Sequence, residues 1–315
     1  MTAYLKLACM AKLNSSNQAI IVDKVTKSYV AGKKKTVALD EISFEVTKGT
    51  LFGLIGPDGA GKTSLFRILT SLLLPDSGDV WVDGLDVKKE YKTLRQRIGY
   101  MPGRFSLYTD LTIQENIHFF ASLFGTTFEE NYDLIKDLYI QIAPFKDRRA
   151  GKLSGGMKQK LALCCALIHR PTILFLDEPT TGVDAVSRKE FWEMLQLLKA
   201  EGITIVVSTP YMDEATLCDQ VALIQEGKIL GIDTPQHIIE GFSKSIYAIK
   251  SENMLPLLKQ LEQDPAVEHA YPFGEYHHIV MKQTNTTIEI PNGAVMQKIA
   301  PNIEDVFIDL MRNHA

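Results

Sequence analysis

The chain has 315 residues, 45% of them hydrophobic and 23% charged, with a formal net charge of −4. That composition is ordinary for a globular protein. It excludes collagen-like and low-complexity chains and argues against a generally basic nucleic-acid binder, so no nucleic-acid partner is expected. The apolar block 161–168 falls well short of the roughly 18 residues that a membrane helix needs, so the chain is not expected to span a bilayer itself.

Residues 1–13 are mildly apolar but broken by Lys6 and Lys12, and a polar break follows at 14–18, so 1–18 reads as an N-terminal extension. Segments 20–29 and 37–46 alternate like strands, joined through Gly32-Lys33-Lys34-Lys35, whose lysines suit a solvated hairpin tip. An apolar strand at 51–55 leads into a glycine-rich turn and a helical pattern over 62–73, stopped by Pro75. Further strands are predicted at 98–101, 173–176 and 203–208. Helices are predicted at 113–124, 130–142, 155–169, 185–200 and 212–218, and a hairpin at 221–231 through Glu226-Gly227. Strands alternating with helices predict an α/β fold with a partly parallel sheet; the helix-only stretch, about 104–170, reads as an inserted helical subdomain. After Phe242 the pattern changes to short strands (245–250, 267–273, 278–282) and helices (255–261, 303–311), giving a small α+β accessory domain over 243–315.

The chemistry begins with Gly56-Pro57-Asp58-Gly59-Ala60-Gly61-Lys62-Thr63, a full G-x-x-x-x-G-K-[ST] match between a strand and a helix. Gly56, Asp58, Gly59, Ala60, Gly61, Lys62, Thr63 and Ser64 are the candidate nucleotide cradle. Glycines there let backbone amides approach phosphate oxygens at a helix N-terminus. Lys62 would neutralise the β and γ phosphates and the Thr63 hydroxyl would ligate Mg²⁺. A second element, the apolar strand 173–176 ending in Asp177-Glu178, supplies a carboxylate for Mg²⁺ (Asp177) and one to polarise an attacking water (Glu178).

Between these lies Leu153-Ser154-Gly155-Gly156-Met157-Lys158-Gln159-Lys160, which closely resembles the signature of ABC ATPases. With the P-loop and Asp177-Glu178 it identifies that family across 19–242. The resemblance implies a P-loop NTPase core of ABC type with an antiparallel β subdomain and a helical insert. It also implies ATP and Mg²⁺ as cofactors, and Tyr29 as the aromatic that stacks on adenine. Thr181-Gly182-Val183-Asp184 resembles the loop whose Asp couples two sites. In this family two nucleotide-binding domains pair head to tail, so Ser154, Gly155 and Gly156 would complete the partner's site.

Gly-Pro-Asp-Gly in the P-loop and the tail Pro301-Asn302-Ile303-Glu304-Asp305-Val306-Phe307 resemble exporter ATPases of the drug- and polysaccharide-efflux type. The implied setting is the cytoplasmic face of the cell membrane, beside membrane-spanning subunits. The helical insert, with residues 105–108 (Phe105-Ser106-Leu107-Tyr108) before it, is the candidate for docking a cytoplasmic helix of those subunits. Two departures stand out. Gly103 follows Gly-Tyr-Met-Pro where the family usually has Gln, and Pro210 stands where it expects His after the strand 203–208. The local site is therefore expected to be slow and the second ATP-binding domain to be a different, more complete one. A non-catalytic regulatory subunit stays open as an alternative, as does a soluble ABC ATPase, although neither a second motif set nor a coiled-coil insertion is present.

Of the other candidate ligands, Cys9, Cys164, Cys165 and Cys218 fit neither a zinc set nor a disulfide framework and read as reduced thiols. His277 and His278 are adjacent on a strand, so they point to opposite faces and do not share a metal.

Overall fold

Apolar side chains at every second position bury Ile42, Phe44 and Val46, which pairs β1 (Gln18–Ala31) with β2 (Lys34–Thr47) as a long antiparallel hairpin. Its tip at Gly32-Lys33 and the following lysines are exposed, as the charge run predicts. The computed structural model describes residues 17–282, 288 and 293–313; all of the expected extension but residues 17 and 18 lies outside them, as does Cys9. The chain forms two units, 1–235 and 236–315. The change of pattern after Phe242 falls within the second.

In the first unit, β3 (Leu51–Ile55) leads through the glycine-rich turn into α1 (Lys62–Leu69). This helix ends four residues before the predicted 62–73 limit. Thr70 turns its N–H and hydroxyl back onto the Phe66 carbonyl, and Ser71 takes a left-handed conformation at φ 59°. β4 (Ser77–Val82), β5 (Leu85–Asp86) and α2 (Tyr91–Arg97) follow. None of these three was predicted. β4 has no alternation to betray it: Val80, Trp81 and Val82 are consecutive and all buried, and pairing with β1 makes the strand. The first sheet runs β2-β1-β4-β5 and is antiparallel throughout.

β6 (Ile98–Met101) precedes the helical insert of α3 (Ile113–Leu123), α4 (Tyr132–Ile142) and α5 (Gly155–Leu167). A capping box between Thr112 and Glu115 starts α3. Then come β7 (Ile173–Asp177), α6 (Ala185–Ala200), β8 (Thr204–Thr209), β9 (Gln220–Gln225) and β10 (Lys228–Asp233). The predicted helix at 212–218 is a 3₁₀ turn over Asp213–Leu217. The second sheet runs β10-β9-β3-β8-β7-β6, parallel except for β10. β3, β7 and β8 are buried along their whole length, which explains the apolar runs 51–55 and 173–176 and the apolar centre of β8 at 205–207. Phe66 of α1 meets Phe175 of β7 edge to face at 6.0 Å, a pairing worth about 0.5–1.5 kcal/mol beyond its buried area. That contact fixes the helix carrying Lys62 over the strand carrying Asp177.

The second unit opens with the short helix α7 (Pro235–Glu240), whose first residue ends the first unit. Its sheet runs β12-β13-β11-β14, from β11 (Ile246–Lys250), β12 (Val267–Phe273), β13 (Tyr276–Met281) and β14 (Val295–Ile299), all antiparallel. α8 (Met254–Gln263) packs Leu257 and Leu261 against Ile249, Ala270 and Ile279. α9 (Ile303–Asn313) packs Ile308 with Ile246, Tyr271 and Val280, which lie on the other face of the strands. No helix among the described residues is long and apolar enough to cross a membrane.

Candidate functional site

The parallel strands fix where the site lies. Ile55 is in register with Thr209, Asp177 with Ser208, and Met101 with Leu176. The loops that leave the carboxyl ends of β3, β8, β7 and β6 therefore come together, as they do in other open parallel sheets. Those loops carry the P-loop, Pro210, Glu178 and Gly103.

Two glycines build the cradle by lacking a side chain. A Cβ at Gly56 would sit 2.1 Å from the Ile224 carbonyl oxygen, and one at Gly61 would sit 2.3 Å from the Ala38 carbonyl oxygen. Gly61 also holds φ at 108°, which side-chain-bearing residues rarely adopt. Ala60 is buried and its carbonyl accepts from the Gly227 N–H at 3.0 Å, whereas Asp58 and Gly59 are exposed at the loop's tip. Lys62 is 3% exposed. Its ammonium donates to the Gly56 carbonyl at 2.8 Å and to the Pro57 carbonyl at 3.0 Å, and lies 3.1 Å from Glu178 Oε1. Thr63 and Ser64 open α1, and the Ser64 hydroxyl is 3.1 Å from the hydroxyl of Tyr29. Tyr29, on β1, is 40% exposed.

Asp177 is 2% exposed and Oδ1 accepts from the Ser208 hydroxyl at 2.7 Å. The Glu178 N–H donates to Ser208 as well, at 3.0 Å to both its hydroxyl and its carbonyl oxygen. Glu178 holds φ at 50°, a conformation costing a non-glycine residue about 1 kcal/mol. One serine thus bonds the Asp177 carboxylate directly and fixes the backbone that carries Glu178. Nothing in the reading of the sequence singled out Ser208; the signal is the pairing of two buried strands in register, which a single strand does not reveal.

Ser154, Gly155 and Gly156 form the N-terminus of α5, with the Ser154 hydroxyl accepting from the Met157 N–H at 3.4 Å. The Asp184 loop lies beside them. A Cβ on Gly155 would be 3.5 Å from the Gly182 carbonyl oxygen, and one on Gly156 would be 2.9 Å from the Ser187 hydroxyl. Asp184 caps α6, accepting from the N–H groups of Val186 and Ser187 and from the Ser187 hydroxyl. The Ser187 bonds hold its carboxyl below the usual range. The structure therefore sorts the predicted residues into two groups. Gly56 to Ser64, Tyr29, Asp177 and Glu178 are linked through the Tyr29–Ser64 and Lys62–Glu178 contacts and the adjacency of Asp177 and Glu178, and Ser154 to Gly156 with Asp184 form another surface. No side-chain hydrogen bond or ion pair among the described residues joins Ser154, Gly155 or Gly156 to the P-loop.

Gly103 sits beside the carboxylates: a Cβ there would lie 3.0 Å from the Asp177 carbonyl oxygen and 3.8 Å from the Glu178 Cβ. The position faces the site but brings no side chain to it. Pro210 follows Thr209, whose hydroxyl donates to Glu214 Oε2 at 2.5 Å and accepts from the Tyr211 N–H at 3.0 Å.

The remaining candidates have structural partners. His277 bonds to the Met254 carbonyl at 2.8 Å and His278 to Asp305 at 2.7 Å, from opposite faces of β13. Glu268, His269 and Asp309 cluster, but the Lys244 ammonium already bridges Glu268 at 2.8 Å and Asp309 at 2.6 Å. Cys164, Cys165 and Cys218 are buried free thiols, and burial pushes them well above their usual pKa, into the inert range.

Comparison with known proteins agrees with this geometry. The family described as "ABC transporter" matches residues 39–181. Over 305 residues the chain is 38% identical to "Probable multidrug ABC transporter ATP-binding protein YbhF" of Escherichia coli (strain K12), covering 94% of this chain and 52% of that one. The chain thus spans about half the length of that relative. It is 34% identical to "Nod factor export ATP-binding protein I" of Paraburkholderia xenovorans (strain LB400), covering 93% of this chain and 96% of that one. Among solved structures, the dimeric "MJ0796, a Bacterial ABC Transporter Cassette" superposes with a TM-score of 0.63 at 25% identity, over 68% of this chain and 98% of that one. With its cradle, its paired carboxylates and a full-length relative at that identity, the chain belongs to the ATP-binding proteins of the ABC transporter family.

Proposed function

We propose that the chain is the ATP-binding subunit of a membrane exporter, working in a dimer of nucleotide-binding domains. The observation that carries this reading is the convergence of Lys62, Asp177 and Glu178 beside a glycine cradle that tolerates no side chain. The relative named for Nod factor export suggests the direction of transport, beside one named for a multidrug transporter. Backbone N–H groups of residues 59–64 and the Lys62 ammonium bind the phosphates, and Tyr29 stacks on the base. Thr63 and Asp177 are hard oxygen donors of the type Mg²⁺ takes, and Asp177 keeps acceptor capacity beyond its bond from Ser208. Mg²⁺, when bound, supplies positive charge against the phosphate oxygens. Glu178 orients the attacking water and accepts its proton. Ser154, Gly155 and Gly156 present a helix N-terminus to the partner's nucleotide, and Asp184 lies beside them at the same surface.

Without a side chain at Gly103 and without imidazole at Pro210, the local site binds ATP and turns it over slowly. The partner is a different, complete ATP-binding domain, and both dock on membrane-spanning subunits at the cytoplasmic face. The 105–108 segment is the docking candidate: Ser106 and Leu107 line an apolar groove of about 260 Å³ with Phe120 and Phe124, and Tyr108 is exposed beside it. A second reading, a purely regulatory nucleotide-binding subunit, is favoured by Gly103 and Pro210. ATPase of the reconstituted complex decides. Under the proposal Ser154→Arg lowers turnover more than Glu178→Gln does. A complex abolished by Glu178→Gln and indifferent to Ser154→Arg would overturn the unequal pair, and a complex indifferent to both would favour the regulatory reading.

A further inference from the structure

Pro210 offers the segment after β8 neither an N–H nor a functional side chain, yet that segment begins two residues after Ser208, which bonds the Asp177 carboxylate and the Glu178 backbone N–H. What fixes it comes from α6. The Arg188 guanidinium lies over the Tyr211 ring at 4.4 Å. Its Nε is 3.7 Å from Glu214 Oε1, and one of its terminal nitrogens is 3.7 Å from Asp213 Oδ2. Glu214 is 1% exposed and also receives the Thr209 hydroxyl. Arg188 in turn is one helical turn from Asp184, and its N–H donates to the Asp184 carbonyl at 2.9 Å.

We infer that Arg188 is a positioning residue which clamps the Pro210 segment onto α6 and so links the Asp184 loop to Ser208 and the two carboxylates. The inference rests on the ATPase reading given above. A buried carboxylate such as Glu214 is costly unless a cation and hydrogen bonds meet it, so Arg188 and Glu214 hold each other in place. The planar guanidinium lies on the ring and faces both carboxylates at an ion-pair distance of 3.7 Å, without a hydrogen bond to either. Residues 208–214 thereby gain a fixed geometry that proline's own chemistry does not give them.

The test uses the purified full chain with Mg-ATP. Arg188→Ala is expected to lower kcat about tenfold while the equilibrium Kd for ATP stays within about twofold, because the residue touches no part of the nucleotide site directly. Tyr211→Phe keeps the ring and should match wild type. Tyr211→Leu should match Arg188→Ala, and the double variant Arg188→Ala/Tyr211→Leu should be no slower than either single change. Amide exchange gives a second readout: the Tyr211 N–H, bonded to Thr209, should exchange faster in Arg188→Ala and be partly restored in Arg188→Lys. Unchanged kcat with unchanged exchange in Arg188→Ala would overturn the clamp. So would Tyr211→Phe proving as slow as Tyr211→Leu, or a matching loss of ATP affinity. A wild-type chain that binds ATP but shows no turnover, alone and in the reconstituted complex, would instead sink the ATPase reading, and the exchange comparison would still judge the clamp.

Discussion

Two buried aspartates, one in each unit, show how differently the same side chain is used. Asp305 at the start of α9 is fully buried. Its Oδ1 accepts from the Tyr271 hydroxyl at 2.6 Å and from His278 at 2.7 Å, and its Oδ2 accepts from the Asn302 N–H at 2.8 Å. Burial and the negative charge of Asp305 push the Tyr271 hydroxyl far above its usual range, so it stays a donor. Asp177 is nearly as buried but takes one hydrogen bond from Ser208, and its neighbour Glu178 pairs with Lys62. A carboxylate saturated by donors is a clamp; one with acceptor capacity left, at the open end of a parallel sheet, is free to act as the ligand proposed above. Burial alone does not distinguish them.

The sharpest way to break this contrast is Asp177→Asn. The amide oxygen still accepts from Ser208, so the thermal midpoint should barely move. The slow turnover of the purified chain alone at saturating Mg-ATP should fall on the order of 10²–10³-fold, the scale of losing one charged group at a phosphoryl site. Chelating divalent metal should then weaken ATP binding in the wild type and not in the variant. A large loss of stability with intact turnover would put Asp177 in the class of Asp305.

Next in size is the converse change. Asp305→Ala strands the buried Tyr271 hydroxyl and His278, and should cost the second unit about 3 kcal/mol. Urea unfolding measures that cost, while ATP affinity should stay at the wild-type value. Smaller still is Ser208→Ala, which removes the shared support of Asp177 and Glu178. Turnover should drop about tenfold, as for the removal of a residue that orients a metal ligand. Equilibrium binding of Mg-ATP and steady-state turnover, measured together, separate these cases.

The smallest expected effect is on pH. Burial holds the His269 imidazole below its usual pKa of 6.5, with Arg312 adding to the shift, so the folded unit favours the neutral ring. Below about pH 6.5 the unfolded chain takes up a proton that the folded chain resists, so stability should fall as the pH falls through that value. Burial lowers His169 in the first unit in the same direction. His269→Gln should flatten the pH dependence of the second unit's urea midpoint between about pH 7.5 and 5.5. An unchanged slope would assign the effect to other groups.

Much of this was legible in the sequence, for a physical reason. The P-loop, Asp177-Glu178 and the Ser154 helix start are contiguous stretches whose residue types are dictated by local geometry: glycines where a Cβ collides, a hydroxyl where a helix needs a cap. What stayed hidden was carried by pairing. β4 is a strand because β1 lies beside it, not because Ser77–Val82 alternates. Ser208 matters because its neighbour in the adjacent strand is Asp177, and Arg188 because α6 brings it over Tyr211. In the same way, the tail motif around Asp305 was read as a family likeness, and its chemistry emerged only when Tyr271 and His278 met it across the sheet.

The Lys62 ammonium meets three protein oxygens, on Gly56, Pro57 and Glu178. A phosphate that takes this lysine does so by exchange, since those oxygens must give up a cation as the phosphate gains it. Net affinity is then the difference between two well-solvated ends, and a singly charged anion has little to gain by displacing three contacts. Discrimination in favour of a polyphosphate is thus set in part by the lysine's resting partners, in addition to the groups that touch the nucleotide.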